Sequence, residues 1–170
     1  GQIEKDLARN DSSYLVVDVE TNGLDVFGRN QLCGVGLGYK DETYYFPFRH
    51  QNGNNLGPMH QNRLMRCLEM TDTLVGYNIK FDLRFLEKAG YRPPENVTFA
   101  DVIVMVRLTE PASVKELGLT HTIQRIYGEA AASYDKDTKK ELRSNKWHKD
   151  FSLAPPELLE IGRASCRERV

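Results

Sequence analysis

The sequence predicts an α/β fold, and three stretches carry that expectation. Tyr14-Leu15-Val16-Val17-Asp18 is a short apolar run, rich in β-branched residues, that ends on charge, as a buried strand does. Leu32 to Tyr39 sets Cys33, Val35 and Leu37 on one side against Gly34, Gly36 and Gly38 on the other. That alternation is a strand with one bare face, open to close approach by another element. Thr73-Leu74-Val75-Gly76-Tyr77 is another strand, and Asn78 to Ala89 then gathers Leu83, Phe85 and Leu86 on one side of a helix.

The remaining elements follow in order. Thr21-Asn22-Gly23 supplies a turn after the first strand. Thr43-Tyr44-Tyr45-Phe46 is a strand paired to the second through a turn near Lys40-Asp41-Glu42, and Pro47 makes its end an edge or exit. Gln51 to Asn55 is a polar loop. Leu64, Met65 and Leu68 at helical spacing give a helix from about His60 to Met70. Gly90 stops the helix that begins at Asn78, and Pro93-Pro94 forbid continuation. Asp101 to Leu108 is apolar enough for strand or helix; Asp101 as an N-cap favours helix. Leu119 to Tyr127 and Lys136 to Lys146 complete the helices. No internal repeat, low-complexity stretch or internal domain boundary is visible.

Length and composition bound the function. The 170 residues suit one domain with a real core, and 40% hydrophobic with 28% charged residues is an ordinary soluble composition. No apolar run approaches the roughly 20 residues that span a bilayer, and Gly1 to Asp6 lacks a basic-then-apolar leader pattern. Cys33, Cys67 and Cys166 form no CxxC pair, which disfavours a zinc knuckle or a disulfide scaffold. A reduced, cytoplasmic setting without a membrane is therefore expected. A net charge of −1 disfavours a protein held on duplex DNA mainly by counterion release. An enzyme that grips a nucleic-acid end through metal ions and a few contacts stays open.

The last ten residues, Ile161 to Val170, resemble a translated sequencing adapter: ATC GGA AGA GCG TCG TGT AGG GAA AGA GTG encodes them. A natural basic tail is the alternative. The adapter reading assigns residues 1–160 to the domain and 161–170 to a tail outside the fold, and expects a reading frame that ran off an assembled, metagenomic-type fragment. Setting the tail aside removes three arginines and one glutamate and moves the net charge to −3.

The chemistry-bearing residues are acidic. Asp18 and Glu20 stand two apart at a strand end, so both carboxylates point to one face. Two neighbouring acids repel unless a cation lies between them; alone, the pair is also compatible with a solvated strand end. Asp82 falls in the first turns of the helix that follows another central strand, where α/β sheets build their sites, and where the helix dipole favours an acid in any case. Three carboxylates at one sheet edge suit hard cations, magnesium or manganese, while zinc is disfavoured without histidine or cysteine. Two such ions about 4 Å apart can activate a water and stabilise a leaving oxygen in phosphodiester cleavage.

Leu15-Val16-Val17-Asp18-Val19-Glu20-Thr21-Asn22-Gly23-Leu24 resembles the first motif of the DEDD-type 3'–5' exonucleases, and Gly76-Tyr77-Asn78-Ile79-Lys80-Phe81-Asp82 resembles their second. Phe99 to Met105 is similar to the segment that follows, where an Asp begins a helix. The resemblance spans roughly residues 12 to 160 and is nearest to proofreading domains of family-A DNA polymerases. Order and spacing of the motifs make it specific. It implies a ribonuclease H-like fold: a mixed central sheet with its first three strands antiparallel, flanked by helices. It implies removal of nucleotides from a single-stranded DNA 3' end with two divalent metal ions (Mg2+ or Mn2+), in a domain covalently linked to a bacterial or bacteriophage polymerase. By position, Asp18, Glu20 and Asp82 become the catalytic metal ligands. Glu20 and the backbone around Thr21 meet the terminal 3' hydroxyl, Leu24 and Phe81 pack on terminal bases or sugars, and Asn78 orders the site or touches substrate. Leu24 and Phe81 are equally core candidates, and Asn78 a helix cap.

The departure from the family is its third motif, a Tyr or His with an Asp a few residues on. Ala154-Pro155-Pro156-Glu157-Leu158-Leu159-Glu160 resembles the lead-in to that helix, and then the adapter-like tail begins. The expected consequence is an incomplete site with reduced metal affinity and activity. Lys136, Lys140 and Arg143 share a helical face with Lys139 and Lys146 nearby. This is a phosphate-tracking patch or, more plainly, a solvated face with Asp135, Asp137 and Glu141 interspersed. Trp147 is a base-stacking residue or a packing anchor, and the four histidines have no ligand spacing. Two other functions remain: a ribonuclease D-like RNA exonuclease, and a non-catalytic scaffold domain of a polymerase.

Overall fold

The computed structural model describes Lys5, residues 14–40 and residues 42–159. Among them, five strands, β1 (Tyr14–Thr21), β2 (Leu32–Tyr39), β3 (Glu42–Pro47), β4 (Thr73–Gly76) and β5 (Thr98–Asp101), form one sheet in the order β3-β2-β1-β4-β5. The helices that accompany it are α1 (Pro58–Glu69), α2 (Ile79–Lys88), α3 (Val102–Thr109), α4 (Leu119–Tyr127) and α5 (Glu129–Ser144). Short 3-10 turns follow at Trp147–Lys149 and Phe151–Leu153. β2 runs antiparallel to both β1 and β3, while β4 is parallel to β1 and β5. The sheet is thus mixed, with its first three strands antiparallel as expected. The adapter-like tail lies outside the described residues, and among those described no helix is long and apolar enough to cross a membrane.

β1 sorts its side chains by strict alternation. Leu15, Val17, Val19 and Thr21 are buried; Tyr14, Val16 and Asp18 are exposed, and Glu20 is half-buried. The buried set joins Val35 and Leu37 of β2, Leu64, Met65 and Leu68 of α1, and Phe85 and Leu86 of α2 in the main core. A smaller cluster forms from Leu142 of α5, Ala154 and Leu159, with Tyr45, Trp147, Phe151 and Leu158 against it. Trp147 is therefore a packing anchor.

The bare glycine face of β2 is covered by its neighbour's tyrosine. A Cβ at Gly34 would stand 2.0 Å from the Tyr45 hydroxyl oxygen, so only glycine lets the ring lie there. The Tyr45 hydroxyl meets His50 Nε2 at 2.7 Å, and His50 Nδ1 donates to the Ala154 carbonyl at 2.9 Å. The Gln51 N–H donates to the Ser152 carbonyl at 2.7 Å. Together these bonds tie β3 to residues 147–159 across about a hundred residues of chain. His50, which has no role by sequence spacing, is the middle of that tie.

Several boundaries differ from the sequence expectation. β1 continues past Asp18 to Thr21, because β2 pairs with it through Thr21 opposite Leu32. α1 begins at Pro58 rather than His60: proline there has the φ a first turn needs and lacks an N–H that would be orphaned anyway. α5 begins at Glu129 rather than Lys136, because Gly128 at φ +89° breaks from α4 and Ala130 to Ala132 are strong helix formers. It ends at Ser144 rather than Lys146, which is left-handed at φ 62°. β5 has no counterpart in the sequence expectation; its four residues show no alternation to mark them. Asp101 ends that strand and also caps α3, accepting from the Ile103 N–H.

Two outcomes follow for stability. Gly34→Ala should cost about 1–3 kcal/mol in urea unfolding, as overpacking of a tight contact does, and that cost should shrink in a Tyr45→Ala background. Burial lowers the His50 pKa from its ordinary 6.5, with its bond to Ala154 opposing. The unfolded chain then binds the proton more readily, so stability is full above pH 6.5 and falls as pH drops below it. His50→Gln should flatten that acid slope in a pH series of unfolding midpoints.

Candidate active site

The site begins where two strands part. β1 and β4 pair only through Tyr14 to Val16, opposite Thr73 to Val75. β4 ends at Gly76, where a Cβ would stand 3.0 Å from the Ile79 side chain and 3.2 Å from the Val17 carbonyl oxygen. Glycine lets the chain turn there while still touching β1. Beyond that point the β1 edge has no strand partner on the β4 side, and its Val19 N–H must be satisfied otherwise. Asp82, in the first turn of α2, accepts it through Oδ1 at 2.8 Å. Asp82 is 4% exposed. A buried carboxylate needs such donors to stay tolerable.

Val19 lies between Asp18 and Glu20, so this one bond brings all three acids to the same end of β1. Asp18 and Glu20 share the face opposite the main core, as the strand period requires. Among the described residues, no three His, Cys, Asp or Glu side chains stand grouped closely enough to hold a metal ion. The shared location is present; a closed cage of carboxylates is not.

Asn78 occupies the cap position of α2, but its side chain makes no capping bond. Its backbone is left-handed, at φ 62° and ψ 46°, whereas a side-chain cap needs an extended residue. The cap expectation is thereby corrected: the Asn78 side chain is exposed, while its N–H donates to Asp101 Oδ1 at 2.9 Å. Tyr77, just before it, bonds the Thr122 hydroxyl at 2.9 Å and the Leu117 carbonyl, fastening α4 to the end of β4. Phe81 is half-buried, with its ring 5.1 Å from that of Phe85.

The loop from Asn22 to Gln31 borders the same strand end. The buried Thr21 hydroxyl donates to the Gly23 carbonyl at 2.7 Å, so its side chain shapes the turn. Leu24 is 83% exposed and Phe27 90%, which removes Leu24 from the core. Lys88, at the end of α2, donates to the carbonyls of Val26, Gly28 and Asn30, each at 2.8 Å. This three-bond clamp is invisible in sequence, where a lysine in a last helical turn looks like ordinary surface. Cys33 is buried near Asp150 and Glu20, and burial first, then those charges, pushes its thiol up to about 12. It is therefore an inert wall, not a nucleophile.

A family model described as 3'-5' exonuclease matches residues 3–155. The chain is 23% identical over 150 residues to the DNA polymerase of Mycobacterium phage D29, covering 85% of this chain but only 24% of that polymerase. Among solved structures, the Aedes aegypti Nibbler EXO domain superposes with a TM-score of 0.53 at 15% identity, covering 75% of this chain and 65% of that one. Brucella melitensis NrnC with bound Mg2+ gives a TM-score of 0.51 at 19% identity, covering 71% and 56%. Both are similar in fold, which is ribonuclease H-like.

The Asp82 bond predicts an ordered pair of variants. Asp82→Ala leaves the Val19 N–H unpaired and should cost about 1–3 kcal/mol in unfolding free energy. Asp82→Asn keeps an acceptor oxygen and should cost clearly less. Lys88→Met should leave the unfolding midpoint nearly unchanged while speeding amide exchange from Val26 to Gln31.

Proposed function

The chain belongs to the 3'-5' exonuclease family, and from that premise we propose that it removes nucleotides from the 3' end of single-stranded DNA as the proofreading domain of a DNA polymerase. The observation that carries this reading is the Asp82 to Val19 bond, which joins the Asp18-Val19-Glu20 segment to α2 inside a chain matched by the family over residues 3–155.

Asp18, Glu20 and Asp82 are the residues that would hold divalent cations, and their all-oxygen donor set fits Mg2+ or Mn2+. Bound there, two such ions would supply the charge that activates a water and neutralises the leaving oxygen. The chain's own residues do the rest. Asp82 is held in place by the Val19 N–H, which donates to its Oδ1, at the strand end that Asp18 and Glu20 also occupy. Asp18 is exposed and Glu20 half-buried, so both are within reach of a ligand, and Glu20 can accept from a terminal 3' hydroxyl. The exposed Leu24 packs on the terminal base, on a loop that Lys88 holds in place. Phe81 supports the sugar from beside Phe85, and the exposed Asn78 amide and the Thr21 backbone meet the strand.

The test is degradation of a 5'-labelled single-stranded DNA in Mn2+, run beside Asp18→Asn and beside an RNA of the same sequence. The expected result is a 3'-to-5' ladder on DNA that depends on Asp18. Asp18→Asn should lower its rate by more than about 10–100-fold, the cost of losing even a supporting group at a metal site. A preference for RNA would move the assignment to an RNA exonuclease. No Asp18-dependent ladder on either strand would contradict catalysis and favour a scaffold.

A further inference from the structure

Away from the carboxylates, α4 and α5 enclose an open groove of about 600 Å3, lined by Thr120 and His121 on one side and by Lys136, Lys139, Lys140 and Arg143 on the other. Its charges are unevenly matched. Lys136 is paired with Glu129, and Lys139 Nζ sits 2.7 Å from Asp135 while also bonding the Thr120 hydroxyl. Lys140 and Arg143 are exposed and, among the described residues, have no carboxylate partner. They stand three residues apart on one helix face, about 4.5 Å along the axis, where like charges repel. No Asp or Glu lines the groove among the described residues.

We propose that this groove is a second nucleic-acid contact, which holds the phosphate backbone of the unpaired strand upstream of the 3' end that the carboxylates address. The inference rests on the exonuclease reading and extends it. Lys140 and Arg143 present two exposed cations on one helix face, while the pairs on Lys136 and Lys139 keep the wall in place. Among the lining side chains only His121 carries a ring, so the contact is to backbone rather than to stacked bases. The groove is not an isolated patch. Thr122 of α4 is bonded to Tyr77, and Tyr77 directly precedes the turn into α2 that carries Asp82. A strand engaged in the groove is thereby held against an element fixed to the cleavage site.

Binding without metal separates the two sites. Fluorescence anisotropy of a labelled 20-nucleotide oligothymidine, in EDTA across a salt series, reads the groove alone. The Lys140→Gln/Arg143→Gln double variant, altered only at exposed positions, should fold as the parent does by circular dichroism. It should bind more weakly at low salt, with a log–log salt slope shallower by about 1.4, because each phosphate left unneutralised accounts for about 0.7. Equal affinity and slope for parent and variant would overturn the proposal, as would no binding in EDTA, or equal loss of affinity for a duplex. Failure of the exonuclease reading shows separately, as absence of an Asp18-dependent ladder in Mn2+.

Discussion

A buried aspartate accepts a β1 N–H that the neighbouring strand abandons, and much of the candidate site depends on that bond. β4 leaves β1 after Val16, and Gly76 allows the departure without a clash against the Val17 carbonyl. The Val19 N–H then lies at an inner sheet edge without a strand to receive it, and Asp82 takes it at 2.8 Å. The constraint acts in both directions. Val19 gives the buried carboxylate a donor, and Asp82 fixes the N-terminal turn of α2 against β1. Asp18 and Glu20 flank Val19 on the opposite face from the core, so a bond that satisfies the backbone also collects three acids at one strand end.

The surroundings brace this arrangement from three sides. Lys88 gathers three carbonyls of the Asn22 to Gln31 loop, which keeps Leu24 and Phe27 out in solvent on a fixed frame. Tyr77 ties α4 to the end of β4. Tyr45, lying over Gly34, passes a hydrogen-bond chain through His50 to Ala154 and so fastens residues 147–159 over the glycine face of β2. Each tie connects residues far apart in sequence through polar side chains.

The strands of the site are legible in sequence because their patterns are local. β-branched runs, the Gly34-Gly36-Gly38 alternation and the Asp18-Glu20 spacing all follow from the two-residue strand period. β2 and α4 have the expected boundaries for the same reason. What sequence does not reveal depends on distant partners. Lys88 and His50 look like unremarkable surface residues until the loop and the Ala154 carbonyl arrive. Asn78 looks like a cap until its left-handed backbone turns the side chain away. Thr98 to Asp101 lacks alternation because β5 is a short edge strand, exposed along half its length. The basic stripe is visible in sequence, but its groove is not, because the opposing wall comes from α4.

The most direct measurement is a crystal structure of the chain grown with Mn2+ and a nucleoside monophosphate, with manganese located by anomalous scattering. If the Val19 to Asp82 bond assembles a cation site, anomalous density lies between Asp18, Glu20 and Asp82, and Asp82 keeps its bond to Val19. Manganese bound elsewhere, or none at millimolar concentration while the three carboxylates stay apart, would contradict it.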